Sequence, residues 1–187
     1  MELASVLMDY RLIVWDFDGT IVKLNVDWNK VKEEILKNYS DLLSGKELSS
    51  INKMIYEIRK YTSDKKVFNI IERYESASGY KPNWEIINII KMLKRNGKIQ
   101  TILSDNMSST VKRILREVSI YDCFDQIVCK DSVNRYKPHP EGIGKIFEQY
   151  NISKSEVVMI GDSWKDKELC YRFGITFVDT EELASHG

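Results

Sequence analysis

The chain contains only two histidines, His139 and His186, among 187 residues. Cysteine is nearly as scarce. Cys123, Cys129 and Cys170 are an odd number, with no CxxC pair and no Cys/His cluster. These shortages argue against a zinc site or a disulfide framework, and buried free thiols are expected instead. Nothing reads as a Ser-His-Asp triad. His186 lies beside the C-terminus, where disorder concentrates. An excess of charge is also missing. Lysine plus arginine and aspartate plus glutamate number 28 each, so the net charge of zero gives no electrostatic case for nonspecific nucleic-acid binding. No apolar run approaches the roughly 18 residues needed to span a bilayer. Glu2 and Asp9 interrupt the N-terminus, which has no basic region followed by a long apolar stretch. The expected setting is cytoplasmic, with no membrane and no nucleic-acid partner.

What is present suits a globular protein. Apolar residues make up 43% and charged residues 30%, and the length suffices for one good core plus a small appendage. Short apolar runs rich in Ile and Val recur at Leu12–Trp15, Ile99–Leu103, Gln126–Cys129, Val157–Ile160 and Ile175–Val178. Helical periodicities separate most of them: Ile86, Ile89, Ile90 and Leu93, then Val111, Ile114, Leu115 and Val118. Gly97 fits the C-terminal end of the first helix. Strand alternating with helix implies a parallel sheet covered on both faces, an α/β architecture whose ligands bind beyond the carboxyl ends of the strands.

Residues from about Asn25 to Gly79 break this alternation. They read as three helices, Trp28–Tyr39, Glu47–Tyr61 and Asp64–Ala77, with a loop at Ser40–Lys46. The expected organisation is a core of residues 1–22 and 82–187 with an inserted helical domain at 23–81. Hinges are expected near Val22–Asn25 and Ser78–Pro82. Trp28, Tyr56 and Tyr61 could line a pocket, although such aromatics are more often core. One of Arg59, Lys60, Lys65 and Lys66 could contact a substrate carboxylate or second phosphate, although a solvated basic turn is the plainer reading.

Four polar clusters close or follow the core strands. The first is Asp16-Phe17-Asp18-Gly19-Thr20, directly after Leu12–Trp15. Two carboxylates so placed need a cation or strong donors, and the glycine permits a sharp turn and close approach of a ligand. One nucleophilic and one proton-transferring carboxylate beside a metal would look like this. The second is Ser104-Asp105-Asn106, a hydroxyl and backbone N–H groups at an expected helix start, which makes an anion pocket or a simple N-cap. The third is Lys137, stiffened by Pro138 and Pro140, which could offset a phosphate and a carboxylate together. The fourth is Gly161-Asp162-Ser163-Trp164-Lys165-Asp166. If Asp162 caps the next helix, Asp166 lies about one turn further along it. Oxygen ligands without histidine or thiolate favour magnesium over zinc. A solvated helix aspartate is the plain alternative for Asp166.

With these clusters in this order, the chain resembles the haloacid dehalogenase superfamily of phosphohydrolases over everything outside the insertion. The insertion looks like the small cap of the phosphoglycolate-phosphatase-like branch. The resemblance implies a Rossmann-like sheet in order 5-4-1-2-3, counting the five runs above. It implies Asp16 as the nucleophile that forms an aspartyl phosphate and Asp18 as the acid and base. Ser104 and Lys137 would hold the phosphoryl group and offset its charge, with Gly19, Thr20 and Asn106 as further phosphate contacts. Mg2+ would sit on Asp16, the Asp18 backbone carbonyl and Asp162, with Asp166 acting directly or through water. The implied substrate is a small phosphorylated metabolite, and the protein a monomer or homodimer. Dehalogenases and phosphonatases of the superfamily lack the second aspartate, so Asp18 favours phosphoryl chemistry. The alternatives are a phosphosugar mutase of the same branch and a noncatalytic phospholigand binder. A receiver-like signalling domain fits poorly. Asp105 departs from the pattern, since many relatives place asparagine directly after the hydroxyl residue. It is expected to face outward or to bond locally.

Overall fold

The computed structural model describes residues 3–46 and 48–180. Glu47, His186 and the end of the expected 82–187 core lie outside the described residues. Seven strands occur among the described residues: β1 (Leu12–Trp15), β2 (Val22–Leu24), β3 (Tyr80–Pro82), β4 (Ile99–Leu103), β5 (Gln126–Val128), β6 (Val157–Gly161) and β7 (Thr176–Asp179). The helices are α1 (Leu3–Leu7), α2 (Trp28–Asn38), α3 (Ser40–Leu43), α4 (Ile51–Arg59), α5 (Lys65–Ala77), α6 (Trp84–Arg95), α7 (Ser108–Glu117), α8 (Glu141–Gln149) and α9 (Trp164–Phe173).

Five strands form one parallel sheet in the order β5-β4-β1-β6-β7. This numbering departs from 5-4-1-2-3 because β2 and β3, which the sequence reading did not contain, enter the count. From the β7 edge the five apolar runs themselves lie 5-4-1-2-3. All four residues of β1 are buried, as a strand covered on both faces requires. Trp15 and Gln100 are buried polar exceptions that satisfy one another. The indole N–H donates to the Gln100 amide oxygen at 3.1 Å, and the Gln100 amide donates to the Ile90 carbonyl at 3.0 Å.

The helices follow their apolar stripes with small corrections. On α6 the buried residues are Ile86, Ile87, Ile90 and Leu93, so Ile87 replaces the expected Ile89. Asn83 caps α6 by accepting the Ile86 N–H, and Gly97, at φ +72°, follows its end. Val111, Ile114 and Leu115 of α7 are buried as their spacing predicts. The three cysteines are free thiols. Burial pushes Cys170 up to about 12, with Asp166 adding to the effect, which makes it inert.

The chain divides into two compact units, residues 1–24 with 80–187, and Asn25–Gly79. The second is narrower than 23–81 because both segments expected as hinges pair as strands. Val22–Leu24 and Tyr80–Pro82 form an antiparallel ladder belonging to the first unit. Within Asn25–Gly79, α2 packs against α5, where Glu34 accepts from Tyr74 Oη at 3.0 Å and pairs with Arg73. The expected Ser40–Lys46 loop contains the short α3. The helix expected from Glu47 begins at Ile51, because Ser50 caps it by accepting the Lys53 N–H. Tyr61 is exposed with Lys46 over its ring, and Trp28 and Tyr56 are half-buried. Arg59, partly buried, pairs with Asp64 and lies over the Phe68 ring, the more exposed Lys60 pairs with Glu57, and Lys66 lies over the Tyr39 ring. No helix among the described residues is long and apolar enough to cross a membrane.

Candidate active site

Sheet order assembles the site. β1 lies between β4 and β6, with Trp15 level with Ile102 and Ile160. Asp16, Ser104 and Asp162 therefore leave the carboxyl ends of three adjacent strands, where an open parallel sheet places its ligands. Lys137 arrives from the segment between β5 and α8. Its ammonium lies 2.7 Å from Asp16 Oδ1 and 2.7 Å from Asp166 Oδ1, with side-chain exposures of 5%, 8% and 0% for the lysine and the two acids. One buried cation thus serves two buried carboxyl groups, which leaves the centre short of positive charge whenever both are ionised. Burial pushes the Asp16 carboxyl up to about 8. Lys137 opposes that rise and Asp166 reinforces it.

Oxygen atoms of Asp16, Asp162 and Asp166 lie within 4.8 Å of one another. Asp162 Oδ1 is buried and accepts no hydrogen bond, and burial, then Asp166, push that carboxyl upward. An orphaned carboxylate oxygen beside two further carboxylates fits a hard divalent cation. Asp166 is committed elsewhere: besides Lys137, it accepts from Ser163 Oγ at 2.5 Å and Ser163 N at 3.3 Å. Ser163, not Asp162, caps α9, and Asp166 completes the reciprocal capping box. Asp162, relieved of capping, contributes to the cluster.

The glycines act through what they leave out. Gly19 has φ +92°, and a Cβ there would stand 2.0 Å from Asp162 Oδ2. Its N–H donates to the Val22 carbonyl at 2.7 Å. A Cβ on Gly161 would stand 2.7 Å from Asp166 Oδ2. Gly19→Ala is expected to displace Asp162, cost about 1–2 kcal/mol of backbone strain, and lower activity about a hundredfold. Thermal melts and Mg2+ titration calorimetry check this; wild-type Mg2+ affinity in the variant would contradict it.

Asp18 stands apart from the three-carboxylate cluster. It accepts the Leu24 N–H at 2.8 Å, and burial pushes its carboxyl upward against that bond, which suits a group that must carry a proton. Ser104 and Asn106 are buried together. Ser104 Oγ donates to Asn106 Oδ1 at 2.9 Å and accepts the Asn106 N–H at 3.1 Å. Ser104 is not at a helix start, because α7 begins at Ser108 and its first N–H is met by Asp131. Thr20 is fully buried and its hydroxyl has no hydrogen-bond partner. Asp105 does not face outward. It accepts the Lys137 N–H at 3.3 Å and lies 3.4 Å from the Lys165 ammonium.

A sequence model of the haloacid dehalogenase-like hydrolases matches residues 13–179. Pyrophosphatase PpaX of Bacillus cereus (strain B4264) is 26% identical over 177 residues, covering 85% of this chain and 77% of that protein. A haloacid dehalogenase-like hydrolase from Bacteroides fragilis superposes with a TM-score of 0.67 at 18% identity, over 94% of this chain and 93% of the other. A structure described as a predicted phosphoglycolate phosphatase from Haemophilus somnus 129PT superposes with a TM-score of 0.62 at 19% identity, over 91% and 85%.

Proposed function

The chain belongs to the haloacid dehalogenase-like hydrolase family, and from that premise we propose that it hydrolyses a phosphomonoester of a small metabolite through an aspartyl phosphate on Asp16. The observation that carries this reading is the buried lysine shared by Asp16 and Asp166 beside the orphaned oxygen of Asp162. The relatives' names, pyrophosphatase and phosphoglycolate phosphatase, point to small phosphorylated substrates. The helical unit Asn25–Gly79 is assigned the part of a cap.

Asp16 attacks phosphorus, the bond to the leaving oxygen breaks, and Asp18 gives that oxygen its proton. Asp18 then takes a proton from the water that attacks the phosphorus of the acyl phosphate, releasing phosphate and restoring the Asp16 carboxylate. Lys137 offsets the repulsion between Asp16 and the phosphoryl group, and Ser104 and Asn106 bind its oxygens. Asp16, the Asp18 carbonyl and Asp162 would hold Mg2+, with Asp166 acting directly or through water: its Oδ2 accepts from Ser163, while its Oδ1 has only the ion pair to Lys137. When bound, Mg2+ supplies positive charge that polarises the phosphoryl group. A buried carboxyl at Asp18, shifted upward by that burial and so suited to passing a proton, has little use in a pure binder.

Phosphate release from a panel of phosphorylated metabolites tests this, with Mg2+ and with chelator. Mg2+-dependent release is expected, and none from folded, Mg2+-loaded protein would contradict it. A linked prediction concerns pH. Asp16 is raised from 3.8 to about 8, so the metal-free protein favours its protonated form below pH 8. The stability this confers is full below pH 4 and is lost as pH rises through 8. Mg2+ must displace that proton, so Mg2+ affinity should rise up to about tenfold per pH unit across this window and level off above pH 8. Calorimetry at pH 7 in buffers of different ionisation enthalpy should register proton release approaching one per cation. Affinity independent of pH between 6 and 9 would oppose it.

A further inference from the structure

We propose that Asp105 is a positioning residue for Lys137, clamping the backbone of the lysine whose ammonium the two carboxylates hold; this rests on the phosphatase reading above. Lys137 has a long, flexible stem, and holding only its charged end leaves that stem free to reorganise during turnover. The ammonium is fixed by Asp16 and Asp166, each at 2.7 Å. The other end is fixed by Asp105, whose Oδ1 accepts the Lys137 N–H at 3.3 Å.

The same carboxylate joins three segments that each carry one member of the site. Asp105 sits between Ser104 and Asn106, whose side chains lock together. Its Oδ1 reaches the Lys137 segment and its Oδ2 lies 3.4 Å from Lys165, the residue before Asp166. A fourth link ties the segments by backbone, since the Lys130 N–H donates to the Asn106 carbonyl at 3.0 Å. The ammonium of buried Lys130 stands 4.1 Å from the centroid of the Tyr136 ring, one residue before Lys137.

Charge explains how an anion is tolerated beside a phosphoryl pocket. Burial alone would raise the Asp105 carboxyl, but Lys130, Lys137 and Lys165 hold it below the ordinary carboxylate range. Its charge is therefore balanced by neighbouring lysines before substrate arrives. The contact to Lys165 is long and partly exposed, with side-chain exposures of 37% and 24%, and contributes little. The bond to the Lys137 N–H bears on geometry, and an asparagine could make it equally well.

The test uses the full-length protein with Mg2+ and p-nitrophenyl phosphate, comparing wild type, Asp105→Ala and Asp105→Asn. Four quantities are read: kcat, KM, the melting temperature, and hydrogen exchange at the Lys137 amide by NMR. Asp105→Ala should lower kcat about ten- to a hundredfold with KM nearly unchanged and faster Lys137 exchange. Asp105→Asn, which keeps the acceptor, should restore kcat and protection. Wild-type kcat and protection in Asp105→Ala would overturn the inference and leave the phosphatase reading intact. Equal losses in both variants would also overturn it, because charge and not the acceptor would then matter. An inactive wild type with accelerated Lys137 exchange in Asp105→Ala would uphold the clamp and defeat the phosphatase reading instead.

Discussion

Asp16→Asn should lower kcat/KM by about 10⁴-fold or more while leaving the fold intact. The amide keeps the size of the carboxylate but cannot accept the phosphoryl group as an acyl phosphate. The effect on stability should be neutral or favourable. Asp16 is buried beside Asp166 with one lysine between them, and its charge is costly to bury there. Removing that charge leaves Lys137 paired with Asp166 alone. The variant should melt at or above the wild-type temperature in the absence of Mg2+, and bind Mg2+ more weakly because one of three clustered carboxylates is gone. A melting temperature well below wild type would mean that Asp16 is structural first.

Lys137→Met should be damaging in the opposite way, lowering activity and stability together. It leaves two buried carboxylates 2.7 Å from a place where charge has vanished. Breaking a buried ion pair from one side costs about 3–5 kcal/mol. For a chain of this size that corresponds to a fall in melting temperature on the order of 10 °C without Mg2+. Mg2+ should recover part of the stability by compensating the same carboxylates, but not the activity, because the phosphoryl group would still lack its lysine. The double variant Lys137→Met/Asp166→Asn should melt higher than Lys137→Met and stay inactive. Melting curves with and without Mg2+, set beside kinetics, separate these effects. Additive losses in the double variant would show that the lysine and Asp166 act independently.

Much of this arrangement could be read from the sequence because the polar clusters interrupt apolar runs abruptly. Leu12–Trp15 ends at Asp16 and Val157–Gly161 ends at Asp162, so in a parallel sheet their carboxylates fall at the same edge. Other features are legible only as short local patterns. Ser163-Trp164-Lys165-Asp166 is a capping-box pattern and identifies Ser163 as the cap. Val22-Lys23-Leu24 alternates buried, exposed, buried, yet three residues are too few to declare a strand until Tyr80–Pro82 pairs with them. The rest depends on residues distant in the chain. Nothing local to Ser108 says that Asp131 will meet its N–H. Nothing near Asp105 points to the Lys137 amide, 32 residues away. Gly19 reads as a flexible turn residue, whereas its missing Cβ makes room for the carboxylate of Asp162.

The most direct measurement concerns the covalent step. Protein turning over a phosphomonoester with Mg2+ would be quenched in acid, reduced with borohydride, digested and analysed by mass spectrometry. An acyl phosphate on Asp16 is reduced to an alcohol, so the peptide containing Leu12–Trp15 and Asp16 should carry homoserine at position 16, and Asp16→Asn should not. Reduction at another carboxylate, or continued turnover with position 16 unmodified, would contradict nucleophilic attack by Asp16.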